Sequence, residues 1–199
     1  MRKYRRMVEG FTLIELAVVS AILVILLAVV APSVSIMQPN ATANQMWRFT
    51  EAGSENYLTL MAAAQLDPIE PAKILATDKY PLDIIVGGLA NVATAYQPIY
   101  NATGIKPLSH LVSLNAAGTQ YILSSSPGIS VSFSYTSRLV YMTFSMVPIE
   151  VTQALADRIQ PGHVLQTGFA NYAAGNLMRY SCGGSVNFCT VSLLHWIPD

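Results

Sequence analysis

The sequence predicts an α+β protein in which a long N-terminal helix lies against a C-terminal antiparallel β-sheet. Three observations carry that expectation. An apolar run extends from Phe11 to Ala31, interrupted only by Thr12, Glu15 and Ser20. Between Ala41 and Leu66, Met46, Phe49, Gly53, Tyr57, Leu60 and Ala64 recur at spacings of three and four, the period of an amphipathic helix. From Ile129 onward the period drops to two. Ile129, Val131, Phe133 and Tyr135 alternate with serines and Thr136, and Val140, Met142, Phe144 and Met146 alternate with Tyr141, Thr143 and Ser145.

The apolar run comes first in the chain and first in consequence. Its length corresponds to about 31 Å of helix, close to the hydrocarbon thickness of a bilayer. The ten residues before it carry Arg2, Lys3, Arg5 and Arg6 against a single acid, Glu9. A short basic flank stays in the cytoplasm and sends the rest of the chain across the membrane. A removable secretory signal is the rival reading and needs small residues after the run. Here Val29-Val30-Ala31 leads into Pro32, a poor residue at a scissile bond, so the helix is expected to be kept. Glu15 is then an acid inside an apolar helix, which costs about 2.5–3.5 kcal/mol at mid-depth and marks a functional position. Ala17, Ser20, Ala21 and Ala28 are small enough to let neighbouring helices approach closely.

The order Gly10-Phe11-Thr12-Leu13-Ile14-Glu15, then Leu16 to Ala31, then Pro32, resembles the N-terminus of type IV pilins and of the pseudopilins of type II secretion. The resemblance covers about 23 residues, a little over a tenth of the chain. It implies that a prepilin peptidase cuts between Gly10 and Phe11 and methylates the new terminus at Phe11. It gives Glu15 an assembly role and Pro32 the role of bending the long helix. It also implies the pilin fold, with a leader at 1–10, a membrane and assembly half of the helix at 11–31, an extracytoplasmic half at 32–67 and a globular head at 68–199. The physical logic is consistent with it. Cleavage frees an α-amine at Phe11, and a carboxylate in lipid needs a cationic partner, which an adjacent subunit's amine can supply. Such a pair fixes register more than it adds net stability.

Beyond Pro32 the helix is expected to continue with a second disturbance at Pro39 and to end at Asp67-Pro68 and Pro71. Residues 72–104 lack a sustained period and read as loop with short helices. In the second half, strands are expected at 119–124, 129–135, 140–146, around 164–169 and at 189–197, with Pro127-Gly128 as a turn. Residues 148–160 read as a short helix: Pro148 and Glu150 stand in the first turn, Val151, Leu155 and Ile159 form a stripe, and Pro161-Gly162 ends it. This order resembles type IVb pilin heads, whereas a ten-residue leader and Phe11 resemble type IVa pilins or pseudopilins. Both subtypes stay open.

The only cysteines, Cys182 and Cys189, fall on the oxidising side of the membrane, where a disulfide is the natural reading. Metal binding is the weaker alternative, since no histidine stands at ligand spacing. In pilins such a C-terminal disulfide loop is where partner contacts concentrate. No nucleophile elbow, zinc-protease or phosphate-loop pattern occurs, and His110, His163 and His195 are scattered, so neither an enzyme nor a cofactor is expected.

Composition fits one anchored domain. The chain has 199 residues, 52% hydrophobic and only 11% charged, with zero formal net charge. Losing the leader would leave about −3. No basic stretch follows it, which counts against a general nucleic-acid partner. The expected partners are prepilin peptidase, other pilin subunits, an inner-membrane assembly platform and the membrane itself. The resemblance thus implies a major or minor filament subunit, first in the bacterial inner membrane and then extracellular. Its alternatives are a pseudopilin and a tip-located minor pilin acting in adhesion or DNA binding. Asp199 is the only acid after Asp157, which counts against the calcium loop of major pseudopilins.

Overall fold

The computed structural model describes residues 13–136, 139–166, 168–183 and 187–197, without the side chains of 28–37 and 169. Two compact units are present, Met1–Gln38 and Pro39–Asp199. Helix α1, Leu13–Ala63, is 51 residues long and runs through both Pro32 and Pro39. The boundary between the units falls at the second of these prolines.

In the second unit α1 packs on a seven-stranded antiparallel sheet. The strands are β1 (Val112–Leu114), β2 (Tyr121–Leu123), β3 (Ser126–Tyr135), β4 (Leu139–Pro148), β5 (Gly168–Ala174), β6 (Met178–Cys182) and β7 (Phe188–Trp196), in spatial order β1-β2-β3-β4-β7-β6-β5. Every neighbouring pair is antiparallel. β7 therefore inserts between β4 and β6, so the last described strand lies inside the sheet and not at its edge.

Alternation in the sequence becomes two faces of the sheet. Val131, Val140, Met142, Phe144, Met178, Tyr180, Val191 and Leu193 are buried on the inner face. Ser132, Thr143, Ser192 and Arg179 follow one another across the outer face in direct register. The helical stripe answers the inner face. Met46, Phe49, Tyr57, Leu60 and Met61 are buried, Phe49 meets Phe144 edge-on at 6.5 Å, and Tyr57 meets Phe133 at 4.9 Å. Gly53 is where the backbone comes closest: a Cβ there would lie 2.9 Å from Met142 Cε and 3.2 Å from Ile85 Cγ2. Helix α4, Ile149–Ile159, lies beside α1. Its Arg158 guanidinium sits 5.5 Å over the Trp47 ring and donates to Asn44 Oδ1.

Short helices fill the region that lacked a period. They are α2 (Pro81–Gly87), α3 (Gln97–Thr103) and single 3₁₀ turns at Pro71–Lys73, Gly88–Asn91 and Thr94–Tyr96. Ile84, Ile85 and Tyr100 are buried in the same core.

Four expectations need correction. Met146 does not continue the inward face of β4. It is 54% exposed, in a left-handed backbone conformation with φ +62°, and Val147 is buried instead. The cause is a bulge: Phe144 pairs with Val191 and Val147 with Cys189, so Ser145 and Met146 face Thr190 alone. Pro127-Gly128 is not a turn but part of β3, in the stretch where the β2 register jumps from Ser130 to Ser126; the turn is Ser124-Ser125. The strand expected at 164–169 begins at Gly168 and runs to Ala174, and α1 ends at Ala63, before Asp67. Strands β1 and β6 were not anticipated.

Candidate processing and assembly site

The residues expected to be processed, Gly10 and Phe11, lie outside the described residues, as does the Pro32 side chain. Glu15 stands in the first turn of α1 and is exposed. Around it, Leu13, Ile14, Leu16, Val18, Val19, Ile22, Leu23, Val24, Ile25, Leu26 and Leu27 are all between 47% and 87% exposed. These side chains occupy every side of the helix, unlike the single stripe of an ordinary surface helix. Burying even half of them is worth on the order of 10 kcal/mol. A segment with that much to gain is built to be covered. Ser20, the one hydroxyl among them, is satisfied within the helix by the Leu16 carbonyl at 2.7 Å.

Residues 5–31 match the prokaryotic N-terminal methylation motif. This is the type IV prepilin-type cleavage and methylation signal, and it spans Arg5, Arg6, Gly10, Phe11, Glu15 and the apolar run. It supports a type IV pilin-like or pseudopilin protein, a structural subunit rather than an enzyme. It implies a membrane-anchored precursor, processing by prepilin peptidase and assembly with other pilins. No curated protein and no solved structure matches the chain. Among the described residues no helix is long and apolar enough to cross a membrane. The described apolar side chains stop at Leu27, about 22 Å of helix from Leu13, while the apolar sequence continues to Ala31.

Cys182 and Cys189 form a disulfide between directly opposed residues of β6 and β7, Cα to Cα 4.1 Å. Both are buried, and the bridge ties β7 to its neighbour β6 at the hairpin end. Both sulfurs are thereby committed, and among the described residues no group of three or more His, Cys, Asp or Glu is placed to hold a metal.

A further feature had no signal in the sequence. A groove of about 1040 Å³ opens between residues 69–83 and strands β2 and β3. Its organiser is Asp83, at the start of α2. One carboxylate oxygen accepts the Tyr80 backbone N–H at 2.6 Å, and the other accepts the Tyr121 hydroxyl at 2.5 Å. Burial, then the Asp83 contact, pushes the Tyr121 hydroxyl pKa above its ordinary value, so it stays a donor through the physiological range. At the other end, Tyr57 donates its hydroxyl to the Pro68 carbonyl at 2.5 Å. Burial, then nearby Tyr135 and Asp67, raises that pKa as well. The 69–83 wall is thus pinned at both ends by tyrosines from other elements.

Proposed function

We propose that this chain is a structural subunit, major or minor, of a type IV pilus-like surface filament. The observation that carries this reading is the prepilin-type signal at residues 5–31, within which helix α1 exposes apolar side chains on every side from Leu13 to Leu27. The precursor sits in the bacterial inner membrane with residues 1–10 in the cytoplasm, 11–31 as the span and the head in the periplasm. Prepilin peptidase removes residues 1–10 and methylates Phe11. The apolar surface of α1 then exchanges lipid for neighbouring helices as the assembly platform adds subunits, and the filament becomes extracellular. Pro32 loosens the helix so that the assembly half can adjust within the fibre.

Glu15 selects the arrangement. Its carboxylate lies four residues beyond the new amine, one helical turn and about 6 Å along the axis. Pairing it with a neighbour's amine favours one axial stagger over others. The same signal serves pseudopilins, and one measurement separates the two. Filaments sheared from cells and analysed by mass spectrometry should contain this chain beginning at methylated Phe11. Residues 1–10 still attached in assembled material would overturn the processing step. Absence from the sheared fraction, with processed protein retained in the envelope, would replace the filament reading by the pseudopilin one.

A further inference from the structure

We propose that the groove between residues 69–83 and strands β2 and β3 binds a neutral oligosaccharide built of pyranose rings. The site lies within the head and does not depend on the filament reading.

Shape comes first. A volume of about 1040 Å³ stands at the upper end of the range for ligand clefts and leaves room for several sugar rings. Aromatic surface comes second. Tyr80 is 73% exposed and Tyr135 38%, both on the groove, with Phe133 and Tyr121 as further lining. A tyrosine ring left in water offers a flat apolar face with a polar tip, which suits the C–H face of a pyranose beside its hydroxyls. Third, short polar groups stand beside the rings. Thr119 brings a hydroxyl already in contact with Asn115, and Gln120 brings an amide that both donates and accepts.

Charge decides between ligand classes. Glu70 is paired with Lys73 at 3.4 Å, and both oxygens of Asp83 already accept hydrogen bonds. The remaining charges, Asp78 and Lys79, are adjacent and opposite. Nothing there rewards a strongly anionic or cationic ligand, whereas a neutral polyol meets donors and acceptors without displacing an ion pair. Rigidity adds to this. The wall is fastened by Tyr57 to Pro68, by Leu75 bridging to Val92, and by Asp83 to Tyr121. A preformed groove spends little ordering entropy on binding.

The test uses the full chain in detergent micelles, so assembly plays no part in the readout. It is first applied to an array of neutral glucose-, galactose- and N-acetylglucosamine-based oligosaccharides, with sialylated and sulfated glycans alongside. The tightest neutral glycan is then titrated calorimetrically. Saturable binding is expected, weakened at least tenfold by Tyr80→Ala and at least threefold by Tyr135→Ala, while Tyr80→Phe stays within threefold of wild type. Trp196→Ala, outside the groove, should leave the affinity unchanged. Tyr80 is largely exposed, so its loss leaves folding intact. No saturable binding to any neutral glycan would overturn the proposal. So would binding confined to the anionic glycans, or binding indifferent to Tyr80→Ala and Tyr135→Ala.

Discussion

The two ends of helix α1 solve different problems with the same backbone. From Leu13 to Leu27 apolar side chains point in all directions and all are exposed. From Pro39 to Ala63 one stripe is buried, and positions such as Arg48, Glu51 and Glu55 face solvent. The second pattern is satisfied inside one chain, because the sheet supplies the apolar partner. The first is not, and its apolar surface has to be met by lipid or by other helices. Periodicity therefore distinguishes a helix that stabilises its own fold from one that waits for neighbours.

The comparison breaks most visibly at Glu15. If the first segment is an assembly surface with one register-setting acid, Glu15→Leu should be cleaved and inserted normally. It should nonetheless lower filament yield by at least tenfold when it is the only copy in the cell. Glu15→Asp should lose less. Cleavage by immunoblot and sheared filament mass in the same strains measure both steps. Wild-type yield from Glu15→Leu would reduce the acid to a spectator.

Truncating one apolar residue in each segment sharpens the contrast. Phe49 is fully buried against Phe144, so Phe49→Ala should cost the head about 3–5 kcal/mol in denaturant unfolding. Leu23 is 53% exposed, and Leu23→Ala should leave head stability within about 0.5 kcal/mol. Equal losses would mean that the two segments do not differ in the way their burial indicates. A smaller effect belongs to the disulfide. Replacing both cysteines, Cys182→Ser with Cys189→Ser, should cost about 2.5 kcal/mol on the chain-entropy model for so short a loop. Because β6 and β7 are already paired along five residues, the fold should survive the loss, and a thermal melt of wild type with and without reductant should reproduce the difference.

Much of this was legible in the sequence, for physical reasons that also mark where legibility ends. Long elements with sustained periods announce themselves, and α1, β3, β4, β7 and α4 stand within a few residues of their expected places. β6 carried the same signal in Met178, Tyr180 and Cys182, but five residues behind Gly175-Asn176 are too few to stand out from a loop. β1, with three residues, has no period at all. The processing motif was readable because its residues are contiguous. The groove was not, because Asp83 and Tyr121 are brought together from distant elements by the fold alone, and nothing local to either residue announces the hydrogen bond.

Met146 is the place where alternation misled, and it yields the smallest and most specific expectation. An alternating pattern cannot reveal an inserted residue, yet one extra residue turns every later side chain to the opposite face. The bulge uses this to bury Val147 and to set Pro148 at the entry to α4. Its cost is borne at Met146, which holds φ +62° without a glycine's freedom. The left-handed conformation disfavours a side-chain-bearing residue by about 1–2 kcal/mol, and a glycine gives back roughly 0.5–1 kcal/mol through the entropy of its unfolded chain. Met146→Gly should therefore raise head stability by up to about 1 kcal/mol. Met146→Ala retains the strained backbone and removes only an exposed side chain, so it should stay near wild type. Unfolding midpoints for the pair separate strain from packing, and if alanine matched or exceeded glycine, the left-handed bulge would not be where the energy is lost.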